Sequence, residues 1–213
     1  MPRAQLSIDE VAATRQRLTA LALELYLQEG LEAVSFRRLA EAAGISHTLP
    51  YRYFENKEAL LVALRTHCTV HFDRYVRGRE RADATPVENI RRIAAAYLSF
   101  VQAHPGEYQL TFTLEQPSPD RYPELLAARR RFFEHAVELI QRAIDQGEMR
   151  GEARVLAHLF WSSLHGLLTL QLGGQLVHGC KLEELVTPLV ERMIDASAAQ
   201  PVKKPAPRTR RRA

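Results

Sequence analysis

Apolar residues recur at spacings of three and four along nearly the whole chain and no stretch alternates with a period of two, so the pattern predicts helices throughout and an all-α fold. Ser7-Ile8-Asp9-Glu10 has the form of a capping box. It opens a first helix with Leu18, Leu21, Ala22, Leu25 and Tyr26 on one face, ending at Gly30. Ser35 can cap a short second helix over FRRLAEAAG, closed by Gly44, and a third segment follows after a tight turn. Glu55 or Asn56 starts a long fourth helix that runs to about residue 80, and Ala84-Thr85-Pro86 breaks the pattern. Beyond the break, helices are expected from Pro86 to about Ala103, around Tyr108–Leu114, from about Pro123 to Gln146, and over roughly 152–177 and 181–198, about nine in all.

Two short helices joined by a glycine turn, ahead of a long helix, read as a helix-turn-helix. Arg37, Arg38, His47, Arg52 and Lys57 bring donors to its second and third helices, and Ser35, Ser46, Thr48 and Tyr51 add hydroxyls that can meet phosphate. Pro50 sits inside the third segment, GISHTLPYRYFENKE. If Ser46 were the N-cap, Pro50 would lack the amide that bonds the Ser46 carbonyl and would press its ring toward that oxygen. If Thr48 caps, Pro50 falls at the second helical position, where no intrahelical partner is lost. The expectation is a third helix that starts late or distorted, with Ser46–Leu49 as an extended lead-in. Tyr53 and Phe54 are expected to pack beneath the fourth helix.

Residues 15–64 resemble the DNA-binding domain of the tetracycline-repressor (TetR-like) family. The matching residues are RQRLTALALELYLQEGLEAVSFRRLAEAAGIS, then Tyr51, Tyr53-Phe54 and Asn56-Lys57-Glu58-Ala59-Leu60-Leu61. The run from Trp161 to Gly166 is similar to the Trp-His-Gly signature of one C-terminal subgroup. The resemblance implies a head over 8–56 that binds a near-palindromic double-stranded DNA operator, and a helical body over 57–199 that forms a homodimer and holds a small-molecule effector. It implies phosphate contacts for Ser35, Arg37, Ser46, Tyr51 and Lys57, and base contacts for His47, Thr48 and Arg52. Leu49-Pro50 departs from the family pattern, which usually has a small or hydroxylated residue followed by an aliphatic one. Candidate pocket residues are Phe72, Tyr97, Phe100, Phe112, Phe133, Trp161 and His165, whose few charges favour an apolar or aromatic effector. Leu164, Leu168, Leu172, Leu189 and Met193 are the candidate dimer seam.

Charge changes this picture only at the end of the chain. The formal charge is +4, yet six of the 29 Lys and Arg lie in residues 201–213 without an acid, leaving 23 bases against 25 acids elsewhere. Such a tail, residues 200–213, cannot bury surface and is expected to be disordered, serving solubility or non-specific phosphate attraction. A non-specific DNA binder driven by this tail, or an interaction adaptor with a vestigial helix-turn-helix, are the rival classes. Two cysteines, Cys68 and Cys180, make no disulfide framework, and a reducing cytosol is expected.

Val155 to Cys180 contains no Asp, Glu, Lys or Arg. His158, Ser162, Ser163, His165, Gln171 and two adjacent glycines make it too polar for a lipid-facing span, so it is expected to be buried between its own body and a partner subunit. His67 and His71, four residues apart on one helix face beside Cys68, could share a metal ion, but a third and usually a fourth ligand are wanting and no metal or cofactor is expected. No nucleophile elbow, phosphate-binding glycine loop or paired carboxylates are present, so an enzyme is not expected.

Overall fold

The computed structural model describes residues 7–113, 116–118 and 121–198; the expected basic tail lies outside them. Among the described residues eight α-helices form the fold: α1 (Ile8–Glu29), α2 (Phe36–Ala43), α3 (Lys57–Arg77), α4 (Pro86–Ala103), α5 (Pro105–Tyr108), α6 (Pro123–Asp145), α7 (Ala153–Leu172) and α8 (Leu182–Ser197). α5 continues as a wider π-helical turn over Gln109–Thr113. The expected ninth helix, the third in sequence, is instead a 3-10 turn at Pro50–Arg52. The long fourth helix of the sequence pattern is therefore α3.

Local chemistry sets most of the boundaries. The capping box at α1 is formed, with Ser7 Oγ accepting from Glu10 N at 3.2 Å and Glu10 Oε2 accepting from Ser7 N at 2.7 Å. Thr85 and Glu88 make a second box ahead of Pro86 at α4. α2 ends where Gly44 takes the left-handed conformation (φ 64°), which lets Ile45 N bond back to Ala40 O. α7 stops at Leu172, shorter than the expected 177, because Gly173 and Gly174 turn the chain there.

The helices enclose two apolar cores. The head core joins Leu18, Ala22, Tyr26, Val34, Phe36, Leu39 and Phe54 to Leu60, Leu64 and Cys68 of α3, and takes Leu110 from the turn after α5. The body core gathers Phe72 and Val76 of α3 with the inner faces of α4, α6, α7 and α8. One helix thus enters both cores, on positions four residues apart. At the joint, Tyr26 Oη donates to Gly106 O at 3.2 Å. A methyl on Gly106 would lie 2.6 Å from Leu27 Cδ2, so α1 and α5 are in close contact.

Phe72 is fully buried at the centre of an aromatic cluster, with ring centroids of Tyr97, Phe100, Phe112 and Phe132 at 4.9 to 5.3 Å in edge-on arrangements. Truncation to Phe72→Ala is expected to cost about 3–5 kcal/mol in urea unfolding, because those rings cannot all close on the void.

Candidate nucleic-acid interface and cavity

The conformation of the exposed segment between α2 and α3 is set by Pro50. Lacking an amide, Pro50 cannot satisfy Ser46 O, and the carbonyl is met one residue earlier by Leu49 N at 3.0 Å. The same tighter winding continues, with Arg52 N bonding Leu49 O and Tyr53 N bonding Pro50 O, both at 3.0 Å. Leu49 is itself helical in φ and ψ and Thr48 caps nothing, so two details of the sequence expectation need correcting. Ser46–Leu49 is a turn and not an extended lead-in, and Pro50 occupies the first position of the 3-10 turn. The physical reason is that Pro50 has no amide to offer Ser46 O, so Leu49 N, one residue earlier, closes the tighter turn.

Packing beneath this segment determines what faces outward. Phe54 and Pro50 are buried and Tyr53 is half-buried, whereas Ser46, His47, Thr48, Tyr51 and Arg52 are exposed. The Tyr51 ring leans edge-on against Phe36 at 4.4 Å, which leaves the side chain 61% exposed. Asn56 caps α3 by accepting from Ala59 N at 2.8 Å, placing Lys57 in the exposed first turn. On α2, Ser35 Oγ accepts from Arg38 N at 3.3 Å and remains half-exposed. Arg37 is 83% exposed in its side chain, and its surface pair with Glu41 is a weak restraint. Arg38 is more firmly engaged, by Glu29 at 2.6 Å and Glu41 at 3.3 Å. Of the expected DNA-contacting residues, Arg37, Ser46, His47, Thr48, Tyr51, Arg52 and Lys57 are thus exposed and Ser35 is half-exposed.

The expected pocket residues separate into two groups. Phe72 and Phe100 are buried in the body core, and Tyr97 lines a small inner void of about 70 Å3. Phe112, Phe133, Trp161 and His165 line a cavity of about 510 Å3, together with Phe132, Gln116 and Arg129. Phe132 and Trp161 belong to both spaces, so the inner void adjoins the cavity. The expectation of few charges is corrected, since Arg129, Arg130, Glu134 and Arg154 stand at its wall. Those residues lie on α6 and at the start of α7, in stretches whose inward face the periodicity alone does not assign.

A hydrogen-bonded relay connects core and cavity: Tyr97 Oη donates to Tyr108 Oη at 3.0 Å, and Tyr108 Oη is hydrogen-bonded to His165 Nδ1 at 2.6 Å. Burial pushes both phenol pKa values up and the His165 pKa down, so all three stay neutral at neutral pH. The Trp161 indole nitrogen is buried near Tyr97 without meeting an acceptor at hydrogen-bonding geometry among the described residues.

Two of the expected seam residues are also corrected. Leu164 and Leu168 are buried in the chain's own core, because α7 is apolar on several faces and its periodicity does not say which stripe turns inward. Leu172, Leu189 and Met193 are half-buried. The outer face of α7 instead exposes Val155, Leu159 and Leu170, by 54%, 50% and 47%. α7 is also long and apolar enough to cross a membrane by composition, but its inner face is part of the body core.

Comparison with known proteins agrees with this geometry. Residues 18–64 match the description "Bacterial regulatory proteins, tetR family", and residues 90–196 match "Tetracyclin repressor-like, C-terminal domain". The latter spans Trp161–Gly166 without singling out its subgroup. An uncharacterized HTH-type transcriptional regulator of Mycobacterium tuberculosis is 30% identical over 81% of this chain and 78% of its own length. The nucleoid occlusion factor SlmA of Glaesserella parasuis is 30% identical over 67% of this chain and 72% of its own. A solved structure from Rhodococcus sp. RHA1, of unknown function, superposes with a TM-score of 0.77 at 26% identity, covering 93% of this chain and 99% of that one.

His165 makes stability depend on pH. Its folded pKa lies below the ordinary value near 6.5, so on acidification the unfolded chain takes up the proton first and stability is lost as pH falls through about 6.5. The urea midpoint is expected to fall between pH 7.5 and 5.5 by more in the wild type than in His165→Gln, which keeps a hydrogen-bonding group for Tyr108 but does not titrate.

Proposed function

This chain belongs to the tetracycline-repressor family of transcription regulators, and we propose that it is a homodimeric repressor released from a near-palindromic DNA operator by a small molecule. The observation that carries the reading is that Ser46, His47, Thr48, Tyr51, Arg52 and Lys57 are exposed while Pro50 and Phe54 of the same segment are buried. In this reading the segment from Ser46 to Tyr53 enters the major groove. His47, Thr48 and Arg52 approach base edges, while Ser35, Arg37, Ser46, Tyr51 and Lys57 hold phosphates. A second copy would cover the outer face of α7 and the remaining apolar area of Leu172, Leu189 and Met193. Two heads would then read half-sites about 34–36 Å apart.

The effector would occupy the 510 Å3 cavity. Its aromatic wall and adjoining inner void suit an apolar or aromatic body. Arg129 adds a preference for an acidic group: its guanidinium is desolvated, is bonded by Gln116, and meets no carboxylate among the described residues. An effector that lowers operator affinity one hundredfold must favour the DNA-incompetent state by about 2.7 kcal/mol. A second reading, non-specific DNA binding through residues 201–213, is favoured by the similarity to a nucleoid occlusion factor and by the six basic residues there.

Fluorescence anisotropy on the chain's own upstream intergenic DNA, with residues 201–213 removed, separates the two. A repressor is expected to prefer that duplex over a scrambled one by about 10³-fold or more at near-physiological salt. Equal weak binding that recovers for both duplexes on restoring the tail would overturn the reading. Tyr51→Phe is expected to weaken operator and scrambled DNA alike, whereas Arg52→Ala should narrow the gap between them.

The cavity has its own readout in Trp161, the only tryptophan of the chain. Titration with aromatic and medium-chain carboxylates is expected to quench its fluorescence saturably, with the matched amides weaker. Arg129→Gln should remove that difference.

A further inference from the structure

His67, Cys68 and His71 do not form a group in space: Cys68 points into the head core, fully buried, with its thiol pKa pushed up by desolvation. His71 meets a different pair. Its Nδ1 lies 2.7 Å from Glu107 Oε2, and His104 Nδ1 lies 3.2 Å from Glu107 Oε1. The two imidazole rings stand 5.0 Å apart at 75°, and the ligating atoms of the three residues all fall within 4.8 Å of one another.

From this juxtaposition we propose that His71, His104 and Glu107 bind a divalent transition-metal ion, with zinc the best match, at the joint between head and body.

Three observations support the site. The Glu107 side chain is only 9% exposed, and both of its oxygens face imidazole nitrogens. A buried carboxylate needs a compensating positive charge, and a divalent ion supplies it while engaging both imidazoles through their lone pairs. Two nitrogens and one oxygen form the donor set of a zinc site that keeps a fourth position for water or another ligand. That position has room, because His71 and Glu107 line a cleft of about 720 Å3 between α1 and α3, and His104 and Glu107 line a recess of about 390 Å3 beside Tyr26. Imidazole and carboxylate donors suit zinc and neighbouring metals of its series better than magnesium or calcium, which prefer oxygen alone.

The location gives the ion a mechanical consequence. His71 belongs to α3, His104 ends α4, and Glu107 lies in α5. An ion held by all three ties α5 to α3 beside Gly106, the residue whose carbonyl receives Tyr26 of α1. Occupancy would therefore stiffen the contact on which the head leans. This proposal is independent of the effector cavity, which is lined by other residues.

The test is isothermal titration of tag-free, chelator-treated full-length protein with zinc alone, followed by cobalt(II) absorption. Saturable binding of one ion per chain is expected, with cobalt bands of a four-coordinate site and a higher melting temperature on zinc addition. His71→Ala, His104→Ala and Glu107→Gln should each weaken zinc by more than the roughly 100-fold typical of losing an outer-shell partner. His67→Ala and Cys180→Ser should leave it unchanged. Glu107→Gln keeps the shape of the side chain and provides the answer if an alanine variant fails to fold by circular dichroism. Absence of saturable binding in the wild type would overturn the proposal and leave a hydrogen-bonded triad. Binding that survives His104→Ala and Glu107→Gln but is lost in His67→Ala would overturn it in favour of a site on α3 alone.

Discussion

A single helix, α3, has to satisfy two hydrophobic cores at once. Leu60, Leu64 and Cys68 complete the head, and Phe72 and Val76 begin the body on the same run of four-residue steps. A continuous helix does not bend cheaply without a proline, a glycine or an inserted residue, and α3 contains none of the first two. The head is thus carried as an extension of the body core. Leu110 and the Tyr26–Gly106 hydrogen bond add a second, lateral attachment through α5. The packing around Phe72 is therefore continuous with the head through α3 and α5.

The polar groups of the body follow the same constraint. Tyr97, Tyr108 and His165 are deep enough that an unpaired hydroxyl or a charged ring would be costly, and each is met by the next in the relay. Trp161 and Arg129 are less completely provided for: among the described residues one has a buried donor that lies near Tyr97 without good hydrogen-bonding geometry, the other a desolvated charge facing an amide. Trp161 lines both the cavity and the inner void, whereas Arg129 lines the cavity. Glu107 shows a third solution, a buried carboxylate placed between two imidazoles.

At the head, backbone chemistry and surface chemistry are inseparable. One missing amide at Pro50 shifts the Ser46 carbonyl onto Leu49 N and winds the segment in 3-10 steps. Such a segment rises about 2.0 Å per residue where an α-helix rises 1.5 Å, so side chains are spread further along the axis and turned more between neighbours. The identity of the exposed groups is unchanged by this, but their spacing along a groove is not.

The chain's local chemistry determined the helices, their ends and the likeness of residues 15–64 to a DNA-binding head. Capping boxes, glycine stops and three-four periodicity act over a few residues and need no tertiary context. Even the consequence of Pro50 was readable in kind, since a missing donor is a local fact. The tertiary structure alone decided which apolar stripe of α7 turns inward, and so removed Leu164 and Leu168 from the surface while exposing Val155 and Leu159. It also decided that Arg129 and Arg154 stand by an aromatic cavity and that His71 meets His104 and Glu107 in place of His67 and Cys68. Each of these depends on the rotation of one helix against another, and periodicity fixes a face relative to its own axis but not the neighbour that the face will meet.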